Sequence, residues 1–173
     1  LLLDRLDQAL SRANWHGNLV AALRVDVRRM NTAEDTLAPP LARKLGLREG
    51  SRVLVVGAPN GFSLGAVPSG TTFARSARGP LDVALLFTRT PADLRRRLPA
   101  LARALDPAGR LWVAWPKKAA DVESDLTFGI VQGHGLDAGL VDNKSASIDD
   151  VYQGLQFVYR LKDRPRRRPD PAS

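Results

Sequence analysis

The sequence contains no cysteine. That excludes disulfides, thiolate nucleophiles, sulfur-ligated zinc and iron–sulfur clusters, and it leaves the redox compartment unmarked. Histidine is nearly as scarce. His16 and His134 are the only two, so a metal site would have to lean on carboxylates, and none is expected. No apolar run approaches the roughly 18 residues that cross a bilayer. The opening Leu1-Leu2-Leu3 is broken at once by Asp4 and Arg5, unlike a basic-then-apolar export signal, so the expectation is a cytoplasmic protein with no membrane partner. The phosphate loop G-x-x-x-x-G-K-[ST], the dinucleotide pattern G-x-G-x-x-G and the nucleophile elbow G-x-S-x-G are all missing, which leaves nucleotide hydrolysis, hydride transfer and serine hydrolysis without support.

What is present suits one globular domain. The chain has 173 residues, 44% of them hydrophobic and 25% charged, enough to bury a core without a metal or disulfide. Basic residues outnumber acidic ones by 26 to 18, for a net charge of +8, which favours anionic partners. The location of that charge matters more than its total. Arg160, Lys162, Arg164, Arg166, Arg167 and Arg168 stand against Asp163 and Asp170, so half of the excess lies in a proline-rich tail. Residues 161–173 have no apolar periodicity and are expected to be disordered.

Three regions follow. Residues 1–39 read as an N-terminal helical arm or extension. Leu3, Leu6 and Leu10 suit an amphipathic helix that packs on the body or on a second copy, which makes a homodimer plausible. Met30, the only methionine, precedes a polar stretch, so residues 1–29 read as upstream sequence or an extension. Residues 40–160 read as an α/β domain. Leu41–Leu45 forms a short helix closed by Gly46, and Arg52–Gly57 is a continuous apolar run, the mark of a strand buried on both faces. Thr71–Ala74 suits an edge strand. Leu81–Phe87 is a second inner strand. Thr90 caps a helix that opens on Pro91, carries Leu94, Leu98, Leu101 and Leu105 on one stripe, and should kink or split at Pro99.

Asp106-Pro107-Ala108-Gly109 then predicts a tight turn into a third inner strand, Arg110–Trp115. Asp125 can cap a further helix through about Gly135, and two last strands, 140–148 and 155–160, are too close in sequence for a crossover and should pair antiparallel. The order of elements predicts a three-layer, mostly parallel sheet with helices on both faces and an antiparallel last strand.

The stretches Val53-Leu54-Val55-Val56-Gly57, Leu81–Phe87 and Leu105–Trp115 together resemble the sheet core of the class I S-adenosylmethionine-dependent methyltransferases, a Rossmann-like fold. That resemblance implies a cofactor site opened by the glycine that ends the first strand. A second resemblance is to the bacterial family called domain of unknown function 3052. It is carried by Pro40–Gly46, Ala58-Pro59-Asn60-Gly61-Phe62, Arg78–Val83, Trp112–Lys118, Asp125-Leu126-Thr127 and Gly139–Lys144, and it implies no particular activity.

Departures from the methyltransferase pattern direct the functional expectation. Gly57-Ala58-Pro59-Asn60-Gly61 puts Pro59, which has no amide proton, where a glycine-rich loop offers donors. No acid follows the second strand to hold a ribose, and the link from Gly61 to Thr71 is too short for a crossover helix. The leading expectation is therefore a non-catalytic domain that binds a small anionic ligand or a protein partner, with no catalytic residue, metal or cofactor assigned. A divergent methyltransferase-like enzyme is the alternative. Open α/β sheets bind ligands at the carboxyl ends of their strands, which singles out Asn60, Gly61 and Phe62 after the first strand, Thr88 and Arg89 after the second, and Trp115, Lys117 and Lys118 after the third. Gly61 and Asn60 also suit a plain turn, and Trp115 a core position. A third expectation is weak, salt-dependent nucleic-acid binding through Arg95 and Arg96 on the helix and Arg164, Arg166, Arg167 and Arg168 in the tail.

Overall fold

The computed structural model describes residues 40–165. The expectations for residues 1–39 and for Arg166, Arg167 and Arg168 lie outside the described residues. Helix α1 spans Leu41–Leu45, followed by β1 (Arg52–Val56), β2 (Thr72–Phe73), β3 (Leu81–Phe87), α2 (Pro91–Ala104), β4 (Leu105–Pro116), α3 (Phe128–Asp137), β5 (Val141–Ser147) and β6 (Tyr152–Val158). The six strands form one sheet in the order β2-β1-β3-β4-β6-β5. β1 pairs parallel with β2 and with β3, and β3 parallel with β4. β6 runs antiparallel to both β4 and β5, so it is the one reversed strand. This is the three-layer, mostly parallel Rossmann-like architecture that the run pattern predicts.

Strand alternation divides the core into two. Leu54, Leu86, Val113, Trp115 and Phe157 face α2 and α3 on one side. Val53, Leu85, Phe87, Trp112 and Ala114 face the other. Trp112 and Trp115 thus lie on opposite faces, as their spacing of three on a strand requires. The second face is covered by α1 and by residues 57–71, which carry neither helix nor strand and tuck Phe62, Leu64 and Val67 onto the sheet. That irregular segment stands where a crossover helix would be. The last three carbonyls around α1 are tied to the far strands. Trp112 donates its buried Nε1 to Leu45 O at 2.9 Å, Arg110 donates to Gly46 O at 3.0 Å, and Lys144 donates to Lys44 O at 3.1 Å.

Four local features differ from the sequence pattern. The Asp106–Gly109 turn is an outward loop inside a single strand, because Leu81 opposes Leu105 while Val83 already opposes Arg110. Asp106 holds it by accepting from the Ala108 amide at 2.9 Å. Helix α2 runs unbroken through Pro99. Pro99 and Arg95 are exposed, so the carbonyl that the proline leaves unpaired faces water. The cap of α3 is Thr127, which accepts from Ile130 N, rather than Asp125. The helix begins at Phe128, so the residue just before its first turn is Thr127 and not Asp125, whose amide donates to Arg89 O at 3.1 Å in the preceding loop. Finally, Leu161–Asp163 makes one exposed turn of 3-10 helix where disorder was expected from residue 161. Among the described residues, no helix is long and apolar enough to cross a membrane.

Candidate functional site

β1 and β3 lie side by side, yet the chain leaves them in opposite directions, toward β2 on one flank and β4 on the other. Their carboxyl ends therefore diverge, which is where open α/β sheets form a crevice. A cleft of about 620 Å³ occupies this place, lined by Gly57–Asn60 from the end of β1, Phe87–Thr90 from the end of β3, Asp93 and Arg97 from α2, and Val122 and Tyr152. The volume falls within the range of small-molecule sites.

The floor depends on Gly57. Its φ is +70°, and a Cβ there would lie 2.7 Å from the Phe87 carbonyl oxygen and 3.2 Å from an Arg97 guanidinium nitrogen. Only glycine meets both the backbone angle and the close approach. Behind it Phe62 packs edge-on to Phe87 with ring centroids 4.7 Å apart, and Phe87 packs edge-on to Tyr152 at 5.1 Å. This aromatic row gives the cleft a rigid apolar base.

The polar wall is organised by Asp93. Its amide donates to the Thr90 cap at 3.2 Å, its carboxylate accepts from Thr88 Oγ1 at 3.0 Å and from Arg96 at 2.7 Å, and Arg97 forms an ion pair with it, Nε lying 2.9 Å from Oδ1. Burial works to raise the Asp93 carboxyl, but the hydrogen bonds from Arg96 and Thr88 and the charges of Arg97 and Arg96 outweigh it and hold the group below the usual carboxylate value. Thus the cleft's own carboxylate is engaged by two hydrogen bonds and a second guanidinium charge. Arg97 is fixed through Nε and lies against Gly57, while Arg89 stands exposed at the rim. The balance at the cleft is positive and suits a ligand with an anionic end.

Of the residues picked from the sequence, the structure brings Asn60, Thr88 and Arg89 together on this cleft. The other five are elsewhere. Gly61 turns the chain at φ +80° with open space around it. Phe62 is a packing residue beneath Phe87. Trp115 is only 2% exposed and belongs to the core. Lys117 donates to Ser147 Oγ at 2.8 Å and to Asp149 O at 2.7 Å, so it latches the β5–β6 hairpin. Lys118 is exposed and does not line the cleft. The cause is common to the last three. β4 is flanked by β6 rather than by another forward strand, so its carboxyl end is closed by that hairpin.

Asp93, Arg97, Val122 and Tyr152 are among the lining residues the sequence did not single out. Asp93 and Arg97 were legible as a first-turn acid and a basic helix position, but nothing in their spacing says that they face a cleft. Val122 and Tyr152 arrive from distant segments. Arg95 and Arg96 are exposed on α2, with the Arg96 side chain 71% exposed despite its ion pair, and Arg164 is exposed beyond β6. Among the described residues, no group of three or more histidine, aspartate or glutamate side chains is placed to hold a metal.

The second strand bears on the cofactor question. β2 pairs only with Arg52 and Val53, at the beginning of β1, so its end does not reach the cleft. Val55 and Val56 are half-buried as a result. The chain then continues through Ala74, Arg75 and Ser76, with no acid. Asp93 is the only acid among the residues that line the cleft, and it is already engaged.

No family model matches the chain, that of the domain of unknown function 3052 included, and no curated protein matches it. Solved structures do. The magnesium protoporphyrin IX methyltransferase from Synechocystis PCC 6803 with bound SAH is 14% identical with a TM-score of 0.50, over 87% of this chain and 99% of that one. A SAM-dependent methyltransferase from Aquifex aeolicus is 14% identical with a TM-score of 0.47, over 78% and 97% of the two chains. The Methanococcus jannaschii fibrillarin pre-rRNA processing protein is 14% identical with a TM-score of 0.48, over 69% and 73%. At these identities the likeness is one of fold, and the fold is the Rossmann-like sheet of SAM-dependent methyltransferases.

Proposed function

We propose that the chain is a divergent methyltransferase-like domain that binds an S-adenosylmethionine-class ligand in the cleft between Gly57 and Thr88, by its carboxylate end. One observation carries this reading: Gly57 turns back against Phe87 at the diverging ends of β1 and β3, which puts open backbone and the Arg97 guanidinium on the floor of a ligand-sized cleft. The likeness of fold to a SAH-bound methyltransferase supports it. Arg97 and Arg89 would take the carboxylate, and Tyr152 and Val122 would flank the apolar part. When bound, S-adenosylmethionine supplies an electrophilic methyl group; the chain's own residues hold and orient the ligand.

Binding is expected to be weak. A ribose held by a carboxylate gains charge-assisted hydrogen bonds worth about 1.5–3 kcal/mol each, and this cleft has no acid free to make them. A second reading has its own support: the positive balance of Arg89 and Arg97 over a fully engaged Asp93 suits a plain carboxylate or phosphate ligand with no methyl to donate.

Isothermal titration of the full chain separates the two. Heats with S-adenosylhomocysteine and S-adenosylmethionine, reduced in an Arg97→Gln variant, are the expected result. Heats with adenosine monophosphate and phosphate but not with the adenosyl amino acids would favour the second reading. Silence with all four would overturn both.

A further inference from the structure

The basic segments of the chain are separated in sequence and joined in space, at the end of the domain opposite the cleft. Tyr159, just past β6, donates its hydroxyl to the Ala102 carbonyl in the last turn of α2 at 2.5 Å. On the other side of that turn Gly79 packs so closely on the Ala104 carbonyl that no Cβ could fit between them. Three stretches, 74–80, α2 and the segment from Tyr159 onward, therefore converge at the C-terminal turn of α2. Each brings exposed cations: Arg78 from the first, Arg103 from the second, and Arg160, Lys162 and Arg164 from the third.

Residues 74–80 hold two arginines and no acid, α2 holds four arginines against Asp93, and residues 160–173 hold six basic residues against Asp163 and Asp170. Arg96 and Arg97 pair with Asp93 at the cleft end of α2, so among the described residues the convergence itself sets Arg78, Arg103, Arg160, Lys162 and Arg164 against Asp163.

We propose that this convergence is a docking surface for the phosphate backbone of a nucleic acid. The surface offers point charges without apolar anchors. The leucine stripe of α2 is spent on the core, with Leu94, Leu98 and Leu101 at most 2% exposed, and among the described residues of the three stretches Leu161 is the one large apolar side chain exposed. A membrane-surface helix needs an apolar face to insert, and a protein interface needs aromatic or aliphatic hot spots. Phosphate contacts need neither, and they bind without regard to sequence.

The test is fluorescence anisotropy of the full chain with labelled 20-mer duplex DNA and single-stranded RNA, titrated between 50 and 200 mM KCl. Five phosphate contacts on a duplex predict a loss of about 500-fold in affinity over that range. The variant Arg78→Gln/Arg103→Gln/Arg160→Gln/Lys162→Gln should bind at least about 10-fold more weakly and with a shallower salt slope. Should it fail to fold, Arg160→Gln/Lys162→Gln/Arg164→Gln, confined to exposed positions beyond β6, is expected to show the same direction of change. No binding at 50 mM salt, unchanged affinity in a folded variant, or equal or tighter binding to phosphatidylserine vesicles or polyglutamate would overturn the proposal.

Discussion

The carbonyl oxygen of Phe87 lies 2.7 Å from the point that a Cβ on Gly57 would occupy. The two residues end adjacent parallel strands, and their close approach sets the floor of the cleft. A Gly57→Ala change meets both a positive φ, which costs an L-residue about 1–2 kcal/mol, and a backbone atom that cannot rotate away. We predict a loss of about 2–4 kcal/mol in urea unfolding, and loss of ligand heats even where the variant stays folded.

Asp93 predicts how stability depends on acid. Its folded-state value is depressed, so its contribution is present above the unfolded carboxylate value and is lost as pH falls through the folded one. An Asp93→Asn variant should melt below the wild type at pH 7, and the two curves should converge below about pH 4. Melts between pH 3 and 8 check this; a constant gap across the range would contradict it. Tyr159 acts at the other end. Burial raises its hydroxyl, so its support for the α2 turn is complete below the unfolded phenol value and is lost as pH climbs through the raised one, above about pH 10. Alkaline melts should expose that loss and Tyr159→Phe should remove it.

Two glycines of α3 predict opposite outcomes from the same substitution. Gly135 lies against the Phe157 ring, where a Cβ would overlap it, while Gly133 has nothing within 4 Å of its Cβ position. Gly133→Ala should stabilise by about 0.5–1 kcal/mol through helix propensity alone. Gly135→Ala should destabilise by about 1–3 kcal/mol through overpacking. Thermal melts of the pair give the sign of each.

Trp112 predicts how firmly α1 is held. The residue is fully buried, and its Nε1 bonds Leu45 O. Trp112→Phe keeps most of the apolar contact but leaves a buried carbonyl without its donor, a cost of about 1–3 kcal/mol. Guanidinium unfolding followed by far-UV circular dichroism measures it.

The parallel part of the sheet was legible because Val53–Val56, Val83–Phe87 and Leu111–Trp115 are unbroken apolar runs and α2 carries one leucine stripe. Those patterns are local. Thr90 was legible as a cap for the same reason: cap, proline and first-turn acid sit within four residues. What the sequence hid depends on tertiary neighbours. Lys117 looks like a site residue until β6 is seen to fold beside β4 and take its ammonium for the β5–β6 hairpin. Asp125 looks like a cap until the helix is seen to begin at Phe128, with Thr127 taking the Ile130 amide. A smaller part of the cleft was readable, since Asn60, Thr88 and Arg89 follow strands that the runs identify. Tyr152 was not, because only the reversed pairing of β6 carries it there.

The central claim is that ligands of the S-adenosylmethionine class enter at the meeting of β1 and β3. A backbone amide NMR titration of the full chain with S-adenosylhomocysteine tests it residue by residue. The account predicts the largest shifts at Gly57, Ala58, Asn60, Thr88 and Arg89, with Pro59 silent for want of an amide. Shifts confined to residues outside that cleft, or none at millimolar ligand, would contradict it.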